Sequence, residues 1–251
     1  MIPEIKAILP KTFNSYIEPF AGGAALFFAL CPDKAYLSDR NADLINCYRV
    51  IRNDAETLIE KLSQIKNSEE EYYRMRSSSP IRDIDRAVRF LYLSNLSFNG
   101  IYRQNLKGEF NVPYGYRVER ASCDAERIRA ASIALQQAKI KTKDFSYFCR
   151  DAKARDLVYF DPPYTVKHNN NGFVKYNARI FSWKDQERLA KCAISLKERG
   201  VNVVISNADH SSLRGLYKGF KVAAVERASV IAASDAFRGR FSECIFYSCI
   251  T

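Results

Sequence analysis

The sequence has 251 residues, 47% of them hydrophobic and 13% aromatic, enough for a buried core in one or two domains and too apolar for a disordered chain. A formal charge of +11 makes a polyanion, nucleic acid first, the expected partner. No apolar run approaches the roughly 20 residues of a membrane span and no signal peptide opens the chain; seven scattered cysteines and two histidines argue against disulfides and a metal centre, so a cytoplasmic protein, taken as a monomer, with no metal and no membrane contact is expected.

In chain order, Ser15 to Glu18 reads as a strand, Gly23 to Leu30 as a helix, Ala35 to Ser38 as a strand and Ala42 to Arg52 as a helix, the alternation of a parallel sheet. Consecutive helices are expected over about 54–66, 68–76 and 82–97, with Ser77-Ser78-Ser79-Pro80 breaking the last two apart. A hairpin-like segment, Ile101 to Arg117, turns at Asn105-Leu106-Lys107-Gly108. The α/β rhythm resumes near Lys139 with Leu157 to Phe160 as a continuously apolar strand, Trp183 to Arg199 as an amphipathic helix, Asn202 to Ser206 as a strand and Cys244 to Ile250 as the last one. The expected architecture is one α/β domain built from residues 1–53 and 139–251, with a helical and hairpin insertion at 54–138. Residues 72–120 carry nine basic side chains against four acidic ones, interleaved with Phe90, Tyr92, Phe98, Tyr102, Phe110, Tyr114 and Tyr116. That mixture suits phosphate contact and base stacking.

Two motifs carry chemistry. Glu18-Pro19-Phe20-Ala21-Gly22-Gly23-Ala24 follows the first strand and opens a helix, where a glycine turn lets a ligand approach the backbone. Asp39 ends the second strand, placed to accept hydrogen bonds from ribose hydroxyls; the pair reads as a pocket for a nucleoside-bearing cofactor, dinucleotide or S-adenosylmethionine. Asp161-Pro162-Pro163-Tyr164 follows the buried strand at the carboxyl edge, where open α/β sheets bind ligands. An aromatic amine is a poor nucleophile because its lone pair is delocalised. Two acceptors on its N–H bonds, the Asp161 carboxylate and the Pro162 carbonyl, would draw it toward tetrahedral geometry and aim the lone pair at a methyl donor. Tyr164 offers a face on which a base turned out of the duplex can stack.

These motifs, with Asp39-Arg40-Asn41, Phe98-Asn99-Gly100-Ile101-Tyr102-Arg103-Gln104-Asn105, Gly108 to Gly115, Phe181-Ser182, Gln186 to Ala190 and Val204 to Asn207, resemble in residues and order the Dam-type adenine-N6 DNA methyltransferases. The resemblance implies a Rossmann-like, S-adenosylmethionine-dependent methyltransferase fold with an inserted recognition region. It implies transfer of a methyl group to adenine N6 in double-stranded DNA with base flipping, at GATC or another GA-containing site. Phe20, Ala21 and Gly22 would line the donor pocket, Asp39 would hold its ribose, and Asp144 and Phe145 would border its adenine. Asp161, Pro162 and Tyr164 would be catalytic. Arg103 would read a guanine edge, Phe98, Asn99 and Ile101 would sit by the vacated target position, and Pro113 would touch a thymine methyl.

Two departures are visible. Family members carry a tryptophan and a Gly-Gly-Lys before the helix that here is Pro3 to Leu9, a segment not seen in this sequence, so weakened donor binding, or a catalytically silent DNA-binding relative, is the alternative expectation. Ala24 stands where many relatives have glycine. His168-Asn169-Asn170-Asn171-Gly172 reads as a polar lid loop, Arg238 and Arg240 as candidate phosphate contacts, and Trp183 as an anchor of its helix on the sheet. Whether a partner restriction endonuclease exists is not legible in the sequence.

Overall fold

The computed structural model describes residues 1–105, 108–165, 181–227 and 241–249. The chain divides into two compact units, Met1–Arg40 with Lys143–Thr251, and Asn41–Thr142. Along the chain the first unit begins with α1 (Ile2–Ile8), β1 (Tyr16–Glu18), α2 (Ala25–Leu30) and β2 (Ala35–Asp39). The second holds α3 (Ala42–Asn53), α4 (Ala55–Ser63), α5 (Glu69–Ser77), α6 (Asp83–Leu96), α7 (Ala125–Leu135) and β3 (Ala138–Thr142). The chain then returns to the first unit with α8 (Phe145–Phe148), β4 (Leu157–Phe160), α9 (Trp183–Glu198), β5 (Asn202–Ala208), α10 (Ser211–Leu216), β6 (Lys221–Arg227) and β7 (Phe241–Tyr247).

The strands of the first unit run in the order β2-β1-β4-β5-β7-β6. β1 pairs in parallel with β2 and β4, and β4 with β5, whereas β7 is antiparallel to both β5 and β6. This is the mostly parallel sheet that the alternation of strands and helices implies, and it agrees with the Rossmann-like methyltransferase fold that the family resemblance implies. Every residue of β4 is buried, which is why its sequence is apolar without alternation. Helix α9 starts on a capping box: Ser182 Oγ accepts from the Asp185 N–H, and the Asp185 carboxylate accepts from the Ser182 N–H. Its stripe of Leu189, Ala190, Ala193 and Leu196 joins Val158, Phe160, Val203 and Ile205 in the core, with Trp183 packed at the edge.

The second unit is helical, with α3 capped by the Asn41 side chain, which accepts from the Asp43 and Leu44 N–H groups. Arg86 of α6 bridges Asp43 of α3 at 2.6 Å and Asp83 at 3.2 Å. Among the described residues the hairpin expectation is met only by isolated bridges, Gln104 with Phe110 and Ser97 with Tyr114, and these residues form no strands. Leu106 and Lys107, the middle of the expected turn, lie outside the described residues. Four elements escape a periodicity reading, the short helices α8 and α10 and two longer elements. α7 buries only Ile128 and Leu135, too thin a stripe to announce a helix, and β6 sits at the sheet edge with small Ala223 and Ala224 in place of strand-forming residues. Among the described residues no helix is long and apolar enough to cross a membrane.

Candidate active site and nucleic-acid interface

Every residue of the expected donor pocket and reaction centre belongs to the first unit, at the carboxyl ends of β1, β2 and β4 or just beyond β3. After β1 the chain makes a tight turn in which the Ala21 N–H donates to the Ser38 carbonyl at 2.9 Å and the Gly22 N–H to Asp39 Oδ2 at 3.1 Å. Gly22 has φ +46°, a conformation natural for glycine. Ala24, at φ 49° and ψ 36°, is also left-handed, which explains a glycine preference at that position: an alanine there carries roughly 1–2 kcal/mol of backbone strain.

Phe20 leaves this turn half-buried and stacks on Phe145, ring centroids 5.2 Å apart, with Phe181 edge-on at 5.5 Å. Phe145 itself is fully buried in the core, so its ring is a floor beneath Phe20 and not an open face. Asp144 caps α8, accepting from the Ser146 N–H at 3.0 Å and the Ser146 hydroxyl at 2.7 Å, and pairs with Arg188 at 2.8 Å. Arg188 lies over the Phe145 ring, 4.6 Å from its centroid. Partial burial pushes the Asp144 carboxyl up, but the Ser146 hydrogen bonds and the Arg188 guanidinium outweigh it and hold the group below the usual carboxylate range.

Glu18, at the end of β1, is buried and accepts the Tyr16 hydroxyl at 3.0 Å. Burial drives its carboxyl well above the ordinary range; the Tyr16 hydrogen bond opposes this, and the neighbouring charges of Asp161 and Asp39 push it further up. Asp39 and Asp161, one from each sequence motif, thus both disfavour the charged form of Glu18. Asp161 is exposed, Pro162 buried and Tyr164 half-buried. The Pro163 carbonyl accepts from Gln186 Nε2 at 3.4 Å, and the Thr165 hydroxyl donates to the Phe181 carbonyl at 2.7 Å. Gln186 and Arg188 were visible only as part of a family-like segment. The signal for Gln186 is a polar residue on the apolar stripe of α9, one turn before Leu189 and Ala190.

The expected DNA-reading residues all belong to the second unit. Phe98, Asn99, Arg103 and Pro113 are exposed and Ile101 is half-buried. The Phe98 N–H donates to the Pro113 carbonyl at 2.9 Å, and Asn99 takes the left-handed conformation, φ 54°, that asparagine tolerates. Arg103 donates through Nε to Asn111 Oδ1 at 2.9 Å, which directs its guanidinium. At the turn, Asn105 and Glu109 exchange side-chain hydrogen bonds, Asn105 Nδ2 to Glu109 Oε2 at 2.8 Å and the Glu109 N–H to Asn105 Oδ1 at 3.0 Å.

The interleaved basic and aromatic residues are used differently from the surface role their composition suggests. Tyr72, Tyr92, Phe110 and Tyr114 are buried, and Phe90, Tyr102 and Phe110 stack in a row with centroids 4.7 and 5.4 Å apart. Arg74, Arg82 and Arg86 pair with carboxylates, and Arg76 and Arg89 donate to backbone carbonyls of Val112, Met75 and Arg76. Arg76, Arg86 and Arg89 brace the unit, whereas Arg74, Arg82, Arg103, Arg117 and Arg120 remain exposed. Of the rings, Phe98 and Tyr116 stay at least half exposed. A cleft of about 490 Å³ is lined by Arg76, Arg86 and Arg89 together with Asn105 and Gly108 to Asn111 of the hairpin segment, and by none of the residues expected to bind the donor, carry the reaction or read DNA. The His168 to Gly172 loop, Arg238 and Arg240 lie outside the described residues.

Residues 1–231 match the model of the D12 class N6 adenine-specific DNA methyltransferases. The chain belongs to this family. A Type II methyltransferase of Lactococcus lactis subsp. cremoris is 38% identical over 255 residues, spanning 98% of this chain and 90% of its own. A Type II methyltransferase of Methanocaldococcus jannaschii is 35% identical, covering 88% and 85%, and the DNA adenine methylase of Escherichia coli K12 is 31% identical, covering 97% and 89%. An adenine-specific DNA methyltransferase has DNA as its substrate, and the roles of single residues can be set against that activity.

Proposed function

We propose that this D12-class enzyme methylates adenine N6 within a GA-containing site of duplex DNA, GATC being the first sequence to try, with the target base flipped out of the helix. The observation that carries the reading is Asp161-Pro162-Pro163-Tyr164 at the end of the buried strand β4, beside the Gly22–Asp39 turn. The Asp161 carboxylate and the Pro162 carbonyl each accept one hydrogen of the exocyclic amine, which localises the nitrogen lone pair and directs it. The consecutive prolines limit where that carbonyl points. The Tyr164 ring stacks on the flipped base. Asp161 is exposed, so the proton that the methylated amine must shed has a route to water at that carboxylate.

The pocket residues fit S-adenosylmethionine. When bound it supplies an electrophilic methyl group on a sulfonium sulfur. Phe20, Ala21 and Gly22 line the donor, and Asp39, already accepting from Gly22, is a carboxylate that takes several hydrogen bonds at once and so suits ribose hydroxyls. Asp144 borders the adenine of the donor, with Phe145 as the buried support of that wall.

Residues 54–138, within the second unit, are the target-recognition region. Arg103, steadied by Asn111, reads a guanine edge, Phe98, Asn99 and Ile101 border the vacated position, and Pro113 meets a thymine methyl. The test is transfer of a labelled methyl group from S-adenosylmethionine to mixed-sequence duplex DNA, followed by base analysis and site mapping. Label on adenine N6 within GA-containing sites is expected; no label from folded protein with donor in excess would overturn the reading.

A further inference from the structure

Among the described residues of the first unit, two neutral amides are completely buried, Gln186 on α9 and Asn207 on β5. A buried amide is unfavourable unless its donors and acceptors are met. These are joined in one line. The Ala208 N–H donates to Asn207 Oδ1 at 2.9 Å, Asn207 Nδ2 to Gln186 Oε1 at 3.3 Å, and Gln186 Nε2 to the Pro163 carbonyl at 3.4 Å. Both ends are backbone groups with one role each, an N–H that only donates and a carbonyl that only accepts, so the direction of both side-chain amides is dictated.

The line ends inside the Asp-Pro-Pro-Tyr motif. The ring of Pro163 locks its φ, leaving ψ as the soft torsion between it and Tyr164, and a hydrogen bond to its carbonyl oxygen restrains that torsion. On the far side of Tyr164, buried Thr165 is tied by its hydroxyl to the Phe181 carbonyl at 2.7 Å. Tyr164 thus stands between two anchored neighbours. Stability alone does not call for this arrangement, because Gln186 occupies a position on the buried stripe with Leu189 and Ala193 where an apolar side chain would pack. Replacing hydrogen-bonded partners by apolar groups of the same shape is often neutral.

We infer that Gln186 and Asn207 are positioning residues for methyl transfer: their amide line sets the direction in which the chain leaves Pro163 and so holds the Tyr164 ring where the flipped adenine stacks. This rests on the reading of Asp161 to Tyr164 as the reaction centre. Neither amide touches the reacting atoms. Both act through the backbone of the motif.

The experiment compares Gln186→Met, Asn207→Leu and Thr165→Val with the wild-type enzyme in steady-state methylation of a duplex it modifies. In parallel, 2-aminopurine replaces the target adenine and its fluorescence is read in the complex. Expected are a kcat at least tenfold lower with the KM for S-adenosylmethionine within twofold, and brighter 2-aminopurine as the flipped base loses its stack on Tyr164. A folded variant at Gln186 or Asn207 with wild-type kcat and unchanged fluorescence overturns the inference, as does a KM for the donor that rises as steeply as kcat falls. If Gln186→Met does not fold, Asn207→Leu decides by the same criteria. Asp161→Ala is run alongside: if it keeps full turnover the reaction-centre reading fails, whereas an inactive Asp161→Ala with a fully active Gln186→Met rejects only the positioning role.

Discussion

The backbone N–H of Gly22 points at the Asp39 carboxylate from 3.1 Å, tying the turn after β1 to the end of β2. A charged acceptor makes this hydrogen bond stronger than a neutral one, and it fixes the carboxylate at the mouth of the proposed donor pocket. Asp39→Ala is therefore expected to weaken S-adenosylmethionine binding by about 1.5–3 kcal/mol, the usual worth of hydrogen bonds to a charged group. Titration calorimetry checks this, and donor affinity equal to wild type would remove Asp39 from the pocket.

Asp161→Ala is expected to abolish methyl transfer, by at least ~100-fold in kcat, the scale seen when one polar group that stabilises a transition state is removed. Because Asp161 is exposed, its loss leaves the core intact. Duplex binding, measured by fluorescence anisotropy, should stay close to wild type. Undiminished turnover would sink the mechanism.

Arg103→Ala should relax discrimination at one guanine by ~1–3 kcal/mol. Asn111→Ala should produce a smaller loss at the same base pair, since it frees the guanidinium that Asn111 holds at 2.9 Å without removing it. Methylation rates on duplexes altered one base pair at a time read both effects. Sensitivity at different base pairs for the two variants would contradict the shared role.

Gly115→Ala tests how the hairpin is seated on the end of α6. Gly115 donates its N–H to the Leu96 carbonyl at 2.8 Å, and a methyl group there would meet the Ser97 oxygen at 2.7 Å and its carbonyl carbon at 2.9 Å. Backbone atoms cannot step aside as a flexible side chain does, so a loss of ~1–3 kcal/mol in urea unfolding is expected, as for other overpacked sites. Stability within a few tenths of wild type would show that the segment shifts freely.

Glu18 gives a pH dependence. Its folded-state carboxyl is raised well above the ordinary range, first by burial and then, against the Tyr16 hydrogen bond, by the charges of Asp161 and Asp39. A raised folded value means that the protonated form is favoured by folding; the stabilisation is present below the unfolded value, near 4.3, and is lost as pH rises toward the folded one. Glu18→Gln keeps an acceptor for the Tyr16 hydroxyl and removes the titration. Thermal melts should show the variant gaining on wild type as pH rises from 5 to 9, and a constant difference would mean that Glu18 does not titrate as the fold predicts.

The family, the parallel half of the sheet and the order of its motifs were legible in the amino-acid sequence, because strand and helix periodicity and the rare string Asp161 to Tyr164 are local properties of consecutive residues. Local pattern also placed Asp39 at a strand end and Gly22 in a turn. Partnership across the chain was not legible. That the Phe145 ring is a buried support for Phe20 could not be read there, because burial depends on what packs above a residue and not on its neighbours in sequence. The rings and arginines of residues 72–120 read as a nucleic-acid surface, yet tertiary packing turns Tyr72, Tyr92, Phe110 and Tyr114 inward and spends Arg76, Arg86 and Arg89 on carbonyls and carboxylates. Gln186 and Asn207, 21 positions apart, become one hydrogen-bonded line only when α9 packs beside β5. Sequence determined which chemistry the chain carries, and the tertiary structure decided which side chains are left at the surface to perform it, since desolvation and hydrogen-bond satisfaction are settled only when distant segments meet.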